Sequence, residues 1–132
     1  MINFYIVKLD WKNSKKRYNV NEDYRLIQRI RMRILTALKD KGKKIDHTMK
    51  LINCTTTELK EYLQQTAINN GYIDFDINNY SGKDFHIDHI VPCSKFNLKC
   101  SYHQKLCFNY NNLQVLTAKE NLSKNDTYNE KE

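Results

Sequence analysis

The stretch Phe85-His86-Ile87-Asp88-His89-Ile90-Val91-Pro92 decides how this 132-residue chain is read. From Phe85 to His89 apolar and polar side chains alternate, the period-two pattern of a half-buried strand. Such a strand turns His86 and Asp88 to one face and Phe85, Ile87 and His89 to the other. Pro92 lacks a backbone N–H for a ladder, so it ends the strand and steers the chain away. Strand twist and that turn would bring Asp88 and His89 to bear on one site.

Downstream, a short helix is expected at residues 101–108 with Ser101 as its cap, followed by a second strand at 112–116. Thr117-Ala118-Lys119-Glu120 then has the spacing of a capping box, so a helix starts there and carries Asn121. The order strand, long loop, strand, helix makes a compact unit in which the helix packs across the hairpin. A helix side chain then faces one from the first strand. Asp88 and Asn121 offer oxygen to a hard divalent cation that keeps several waters and takes further ligands from phosphate. A neutral His89 takes a proton from water near neutral pH. Asn112 is placed to orient the loop or the imidazole, and His86, on the Asp88 face, is an accessory candidate for metal or phosphate. Metal, base and positioning amide are the parts that phosphodiester hydrolysis needs.

Upstream, Thr55-x-x-Glu58 is a second capping box. Leu59, Tyr62, Leu63, Ala67 and Ile68 supply the apolar side of that helix, and Gly71 closes it. Residues 72–83, rich in Asn, Asp and Gly, read as a connection. Further back, Asn21 is an N-cap with Glu22 and Asp23 in the first turn, and Gly42 is a stop signal. Between them Leu26, Ile27, Ile30, Ile34, Ala37 and Leu38 form one apolar stripe. Arg25, Arg29 and Arg33 run along its flank without acidic partners there, which suits a phosphate backbone. Lys39, Lys41, Lys43 and Lys44 continue as a basic linker.

Charge follows the same division. The chain carries +7 overall. Residues 1–50 hold 14 Lys and Arg against 5 Asp and Glu, a net of +9, while residues 51–132 hold 8 against 10, a net of −2. Nucleic acid or another anionic surface is therefore the expected partner. No apolar run approaches ~20 residues, which excludes a membrane-spanning helix. The first nine residues lack a basic leader, so the chain is read as intracellular, soluble and not secreted. Cys54, Cys93, Cys100 and Cys107 contain no Cys-x-x-Cys pair and are read as reduced thiols. Cys93, Cys100, His103 and Cys107 do not have the spacing of paired zinc knuckles, so structural zinc is not expected.

At these residues the chain resembles the HNH endonucleases, the ββα-metal (His-Me finger) group, and especially its small phage and homing-type members. The resemblance runs from about residue 17 to 128. It rests on His86-Ile-Asp-His-Ile-Val-Pro, then Asn112-Leu-Gln-Val-Leu, then Ala118-Lys-Glu-Asn-Leu-Ser-Lys, in that order, with supporting segments at Tyr24-Arg-Leu and Cys54-Thr-Thr-Thr-Glu-Leu-Lys. By position, the resemblance implies Asp88 and Asn121 as metal ligands, His89 as general base and Asn112 as the middle, orienting residue. Where many members have His this chain has Asn109, and where they have Pro it has Val115. If that His serves catalysis or phosphate binding, activity here is reduced. Some members carry a cysteine-rich zinc ribbon ahead of the nuclease. None precedes it in this chain, which leaves DNA affinity to the basic helix or to a partner.

The expectation is thus an α+β chain with a basic N-terminal arm and helix at 1–50 and an HNH nuclease domain at 51–132, its ββα core at about 82–127. It would be an endonuclease using one divalent ion, Mg2+ or Mn2+, on DNA. The alternative is a catalytically reduced nucleic-acid-binding module or a subunit of a larger DNA-processing complex.

Overall fold

The computed structural model describes residues 21–124. The expected arm at residues 1–20 and the C-terminal tail lie outside them. The first helix, α1, spans Glu22–Leu38. The Asn21 side chain accepts a hydrogen bond from the Tyr24 N–H at 3.0 Å, satisfying one of the donors a helix start leaves open. Leu26, Ile30, Ile34 and Leu38 are its buried positions, one per turn. Beyond Leu38 the chain folds back so closely on residues 98–99 that a Cβ at Gly42 would lie 2.5 Å from the Leu98 carbonyl oxygen. Only glycine fits that approach.

A five-residue helix, α2 (Thr48–Ile52), follows, ended by Asn53 in the left-handed region at φ 65°. The sequence reading has no counterpart for it, because so short a piece shows no period. Helix α3 (Thr56–Asn69) begins at the expected box: the Thr55 side chain accepts from Glu58 N and the Glu58 carboxylate accepts from Thr55 N. Leu59, Leu63 and Ala67 are buried along it. Gly71, at φ 91°, lets Tyr72 N bond back to the Ala67 carbonyl at 2.8 Å and close the helix. Gln64 ties down the connection that follows, donating to Phe75 O at 2.7 Å and accepting from Ile77 N at 2.9 Å.

Strands β1 (Phe85–His89) and β2 (Leu113–Thr117) pair antiparallel, Ile87 opposite Val115, Asp88 opposite Gln114 and His89 opposite Leu113. Between them lie a 3₁₀ turn at Cys93–Lys95, helix α4 (Ser101–Phe108) and a second 3₁₀ turn at Tyr110–Asn112. Cys100, not Ser101, holds the N-cap position of α4. Helix α5 (Ala118–Lys124) leaves β2 directly and packs on both strands. The described residues thus form an α+β fold whose sheet has two strands. One core draws Ile30 and Ile34 from α1, Leu59 and Leu63 from α3, Ile87 and Val115 from the hairpin and Phe108 from α4.

The outer edge of β2 is closed by α3. Val115 N donates to Thr66 Oγ1 at 3.1 Å, and Asn70 Nδ2 donates to Val115 O at 3.0 Å. An unpaired strand edge is a template for unwanted pairing, and these bonds remove it. A proline at 115 would lack the N–H that Thr66 receives.

Candidate metal and phosphate site

The hairpin sorts its polar side chains by face. His86 and Asp88 look toward α5, and Leu116 and Gln114 stand opposite them on β2. From α5, Asn121 Nδ2 meets His86 Nδ1 at 2.9 Å. One turn later, Lys124 Nζ donates to Asp88 Oδ2 at 3.0 Å and to the His89 carbonyl at 3.0 Å. Gln114 Nε2 reaches the same carboxylate oxygen at 3.4 Å. Asp88 is only 7% exposed, and a buried carboxylate persists only with such partners.

Arg33 approaches Asp88 from α1, its Nη2 lying 3.8 Å from Oδ1. This corrects the expectation of an arginine row without acidic partners: Asp88 lies 55 residues away in sequence and is brought to Arg33 by packing. Arg29 stacks on the Tyr80 ring, 4.7 Å from its centroid, a cation–π arrangement. Arg29, Arg33, Tyr80, Phe85 and His86 line an open cleft of about 340 Å³ between α1 and β1. Arg25 lies on the same helix and borders a smaller recess with Arg29 and Tyr80.

His89 projects to the other face of β1. Its ring meets Phe108 edge-on, with centroids 5.7 Å apart. Ligand atoms of His89, Cys93 and Cys107 all lie within 4.8 Å of one another. A second cleft, of about 320 Å³, opens onto His89 and Cys93 and shares Arg33 with the first. The Cys107 thiol donates toward Cys93 Sγ at 3.2 Å. That hydrogen bond, helped by His89 and Arg33, lowers the Cys93 pKa to about 5 against the opposing effect of burial. The same pairing, with burial, pushes Cys107 up.

Asn112 is the last residue of the 3₁₀ turn ahead of β2, not the first of the strand. Its side chain is 8% exposed and fully used. Oδ1 accepts from Val91 N at 2.9 Å, and Nδ2 donates to Val91 O at 3.1 Å and to Cys107 O at 2.9 Å. Its own carbonyl accepts from Ile90 N at 2.7 Å. One amide therefore pins the chain leaving His89 to the end of α4. Asn109 caps the same turn, accepting from Asn111 N at 3.0 Å.

The fold therefore gathers His86, Asp88, Asn121 and Lys124 where α5 meets β1 and places His89 across the strand among sulfur and aromatic groups. This corrects the expectation that twist and turn bring Asp88 and His89 to one site: their surroundings meet instead at Arg33. Asn112 braces the turn that joins the two. Two features of the site escape the sequence reading. Lys124 pairs with Asp88; it closes the Ala118-to-Lys124 stretch on which the resemblance rests, but no role is read for it there. The cysteines near His89 are Cys93 and Cys107, whereas His103 accepts from Asn97 N at 2.8 Å and faces Phe96. The capping box at Thr117 is half formed: Glu120 N donates to Thr117 Oγ1 at 3.2 Å, but the Glu120 carboxylate is taken by the Tyr72 hydroxyl. Among the described residues no helix is long and apolar enough to cross a membrane.

The donors fit the hard cation read from the sequence in kind. Asp88 supplies a buried carboxylate, and with Asn121 Nδ2 engaged by His86, the Oδ1 lone pairs are the part of that amide a cation would use. No family model matches the chain, and no solved structure matches it. It is similar to two uncharacterised proteins of Acanthamoeba polyphaga mimivirus. One is 27% identical over 116 residues, covering 86% of this chain and 47% of the viral protein. The other is 28% identical over 121 residues, covering 92% of this chain and 50% of the viral protein. The chain thus spans about half the length of the curated relatives it matches.

Proposed function

We propose that this chain is a metal-dependent endonuclease of the HNH type, with a ββα-metal core, that nicks or cuts DNA by hydrolysing phosphodiester bonds. The observation that carries the reading is the hairpin-plus-helix arrangement: α5 lays Asn121 over the β1 face that bears His86 and Asp88. Asp88 and Asn121 would hold one divalent cation, Mg2+ or Mn2+. When bound, such a cation polarises the phosphate and neutralises charge on the leaving oxygen.

The remaining work falls to this chain's own side chains. His89 stands on the other face of β1 from Asp88, but its cleft is lined by the same Arg33 that approaches Asp88, and from that shared corner it would accept the proton of the attacking water. Asn112 fixes the backbone just beyond His89 and so fixes where the ring stands. Arg33 and Lys124 put positive charge beside Asp88, where a DNA phosphate would lie. Arg25 and Arg29, on the same helix as Arg33, extend this field toward the flanking backbone. His86, bonded to Asn121, positions that amide and also lines the cleft that Arg29 and Arg33 border, where it would serve as an accessory group for metal or phosphate.

A second reading is favoured by the two cations already paired with Asp88. In it, the site binds nucleic acid with reduced catalysis, or serves as part of a larger DNA-processing complex. A plasmid-nicking assay with Mg2+ or Mn2+ separates the two. Nicking that is lost in His89→Ala supports the nuclease. DNA binding without nicking in either protein supports the second reading.

A further inference from the structure

We infer that His89, Cys93 and Cys107 form a second metal site, for a thiophilic cation of the Zn2+ class, distinct in donor chemistry from the oxygen site under α5. Two sulfurs and one imidazole nitrogen within 4.8 Å of one another make a three-ligand set for tetrahedral zinc, with the fourth position left to water. Cys107 is fully buried and Cys93 half-buried, so the set is held by packing. Three separate elements supply it: the end of β1, the 3₁₀ turn after Pro92, and the last turn of α4. The cleft that opens onto His89 and Cys93 gives the cation its path and gives water the fourth position. Asn112 accounts for the rigidity of the set, since it bonds the chain on the Pro92 side of His89 to the carbonyl of Cys107 itself.

Both sites touch one strand end, and this has a consequence that rests on the nuclease reading above. An imidazole that ligates zinc has given up the lone pair it needs to take a proton from water. Zinc at the thiolate site therefore withdraws His89 and switches off hydrolysis, whatever ion Asp88 and Asn121 hold.

The test uses the full chain, reduced and stripped of metal, titrated with Co2+ as a coloured stand-in for zinc. The expected result is one equivalent bound with a thiolate-to-cobalt charge-transfer band, bleached by Zn2+. Cys93→Ser, at a half-buried position, loses most of that band while circular dichroism stays unchanged. His89→Ala keeps a sulfur band but weakens affinity by more than the ~10–100-fold typical of losing an outer-shell partner. No charge-transfer band in the reduced wild type, or an unchanged band in Cys93→Ser, overturns the site. A disulfide between Cys93 and Cys107 in air with no cobalt band after reduction does the same. In the nicking assay, equimolar Zn2+ lowers Mg2+-supported activity by on the order of 10²-fold, the worth of a positioned base, and Cys93→Ser is spared. Zinc-insensitive nicking beside a normal cobalt band overturns the switch and leaves the site standing. A cobalt band in a protein that nicks nothing overturns the nuclease reading alone.

Discussion

Asp88 and His89 are neighbours in the chain and occupy two different chemical environments. The face under α5 is hard and ionic: a buried carboxylate, an amide and an imidazole, held by Lys124 and approached by Arg33. The face against α4 is soft and largely apolar: an imidazole edge-on to Phe108 with two thiols beside it. A single peptide unit separates them because successive side chains of a strand point oppositely. A two-stranded sheet, covered by a helix on each side, can thus keep oxygen chemistry and sulfur chemistry apart within one short segment. The same arrangement makes the turn after His89 the joint between them.

The largest expected effect comes from setting the two faces against each other. Asp88→Asn and His89→Ala should each reduce metal-supported plasmid nicking by about 10²–10⁴-fold, but only His89→Ala should weaken Co2+ binding to the thiols. If Asp88→Asn weakened cobalt binding equally, the two faces would be one site and the comparison would fail.

Asn112→Ala attacks the joint. It leaves the Val91 and Cys107 backbone groups without their side-chain partner in a buried place, and the expected loss is on the order of 3 kcal/mol in urea unfolding. A loss under about 0.5 kcal/mol, the range of ordinary surface changes, would show that water replaces the amide and that the joint is not built on Asn112.

Lys124→Gln sharpens the picture of the ionic face. Lys124 neutralises Asp88 at 3.0 Å, so it competes with any cation there. The half-saturating Mg2+ concentration for nicking should fall several-fold on substitution. An unchanged or higher requirement would show that Lys124 does not compete with the cation at Asp88.

The smallest effect is a difference in thiol reactivity. The Cys107 hydrogen bond, with His89 and Arg33, brings the Cys93 pKa down to about 5, while burial and Glu58 raise that of Cys54 above its ordinary value of 9.0. As pH falls from alkaline toward acid, Cys54 loses its thiolate first and Cys93 keeps its own until about 5. Both residues are partly exposed, so iodoacetamide at mildly acid pH should label Cys93 ahead of Cys54, read by peptide mass mapping. The reverse order would remove the electrostatic contrast between this corner and the rest of the chain.

Local signals in the sequence were enough for much of this architecture. Asn21, Thr55 and Gly71 mark helix ends by side-chain bonds or backbone freedom, and each acts through residues within a few positions. Alternation from Phe85 to His89 correctly divides the strand into its two faces, because the period of a strand is a property of the backbone alone. The five-residue α2 left no trace, since one turn is too short to show a period. Gly42, read as the stop of α1, lies beyond a helix that already ends at Leu38; the close approach that requires glycine there left no local signal, because the atom it must avoid belongs to Leu98.

Which groups stand opposite each face was settled by packing between segments distant in the chain. Arg33 reads as part of a solvent-facing row until α1 packs beside β1 and turns it toward Asp88. Cys93 and Cys107, fourteen residues apart, are unremarkable by spacing and meet only when α4 folds back on the end of the hairpin, next to His89. Periodicity and capping act over one or two turns of chain, so they are legible residue by residue. Contacts between elements depend on the packing of the whole core, and no local pattern carries them.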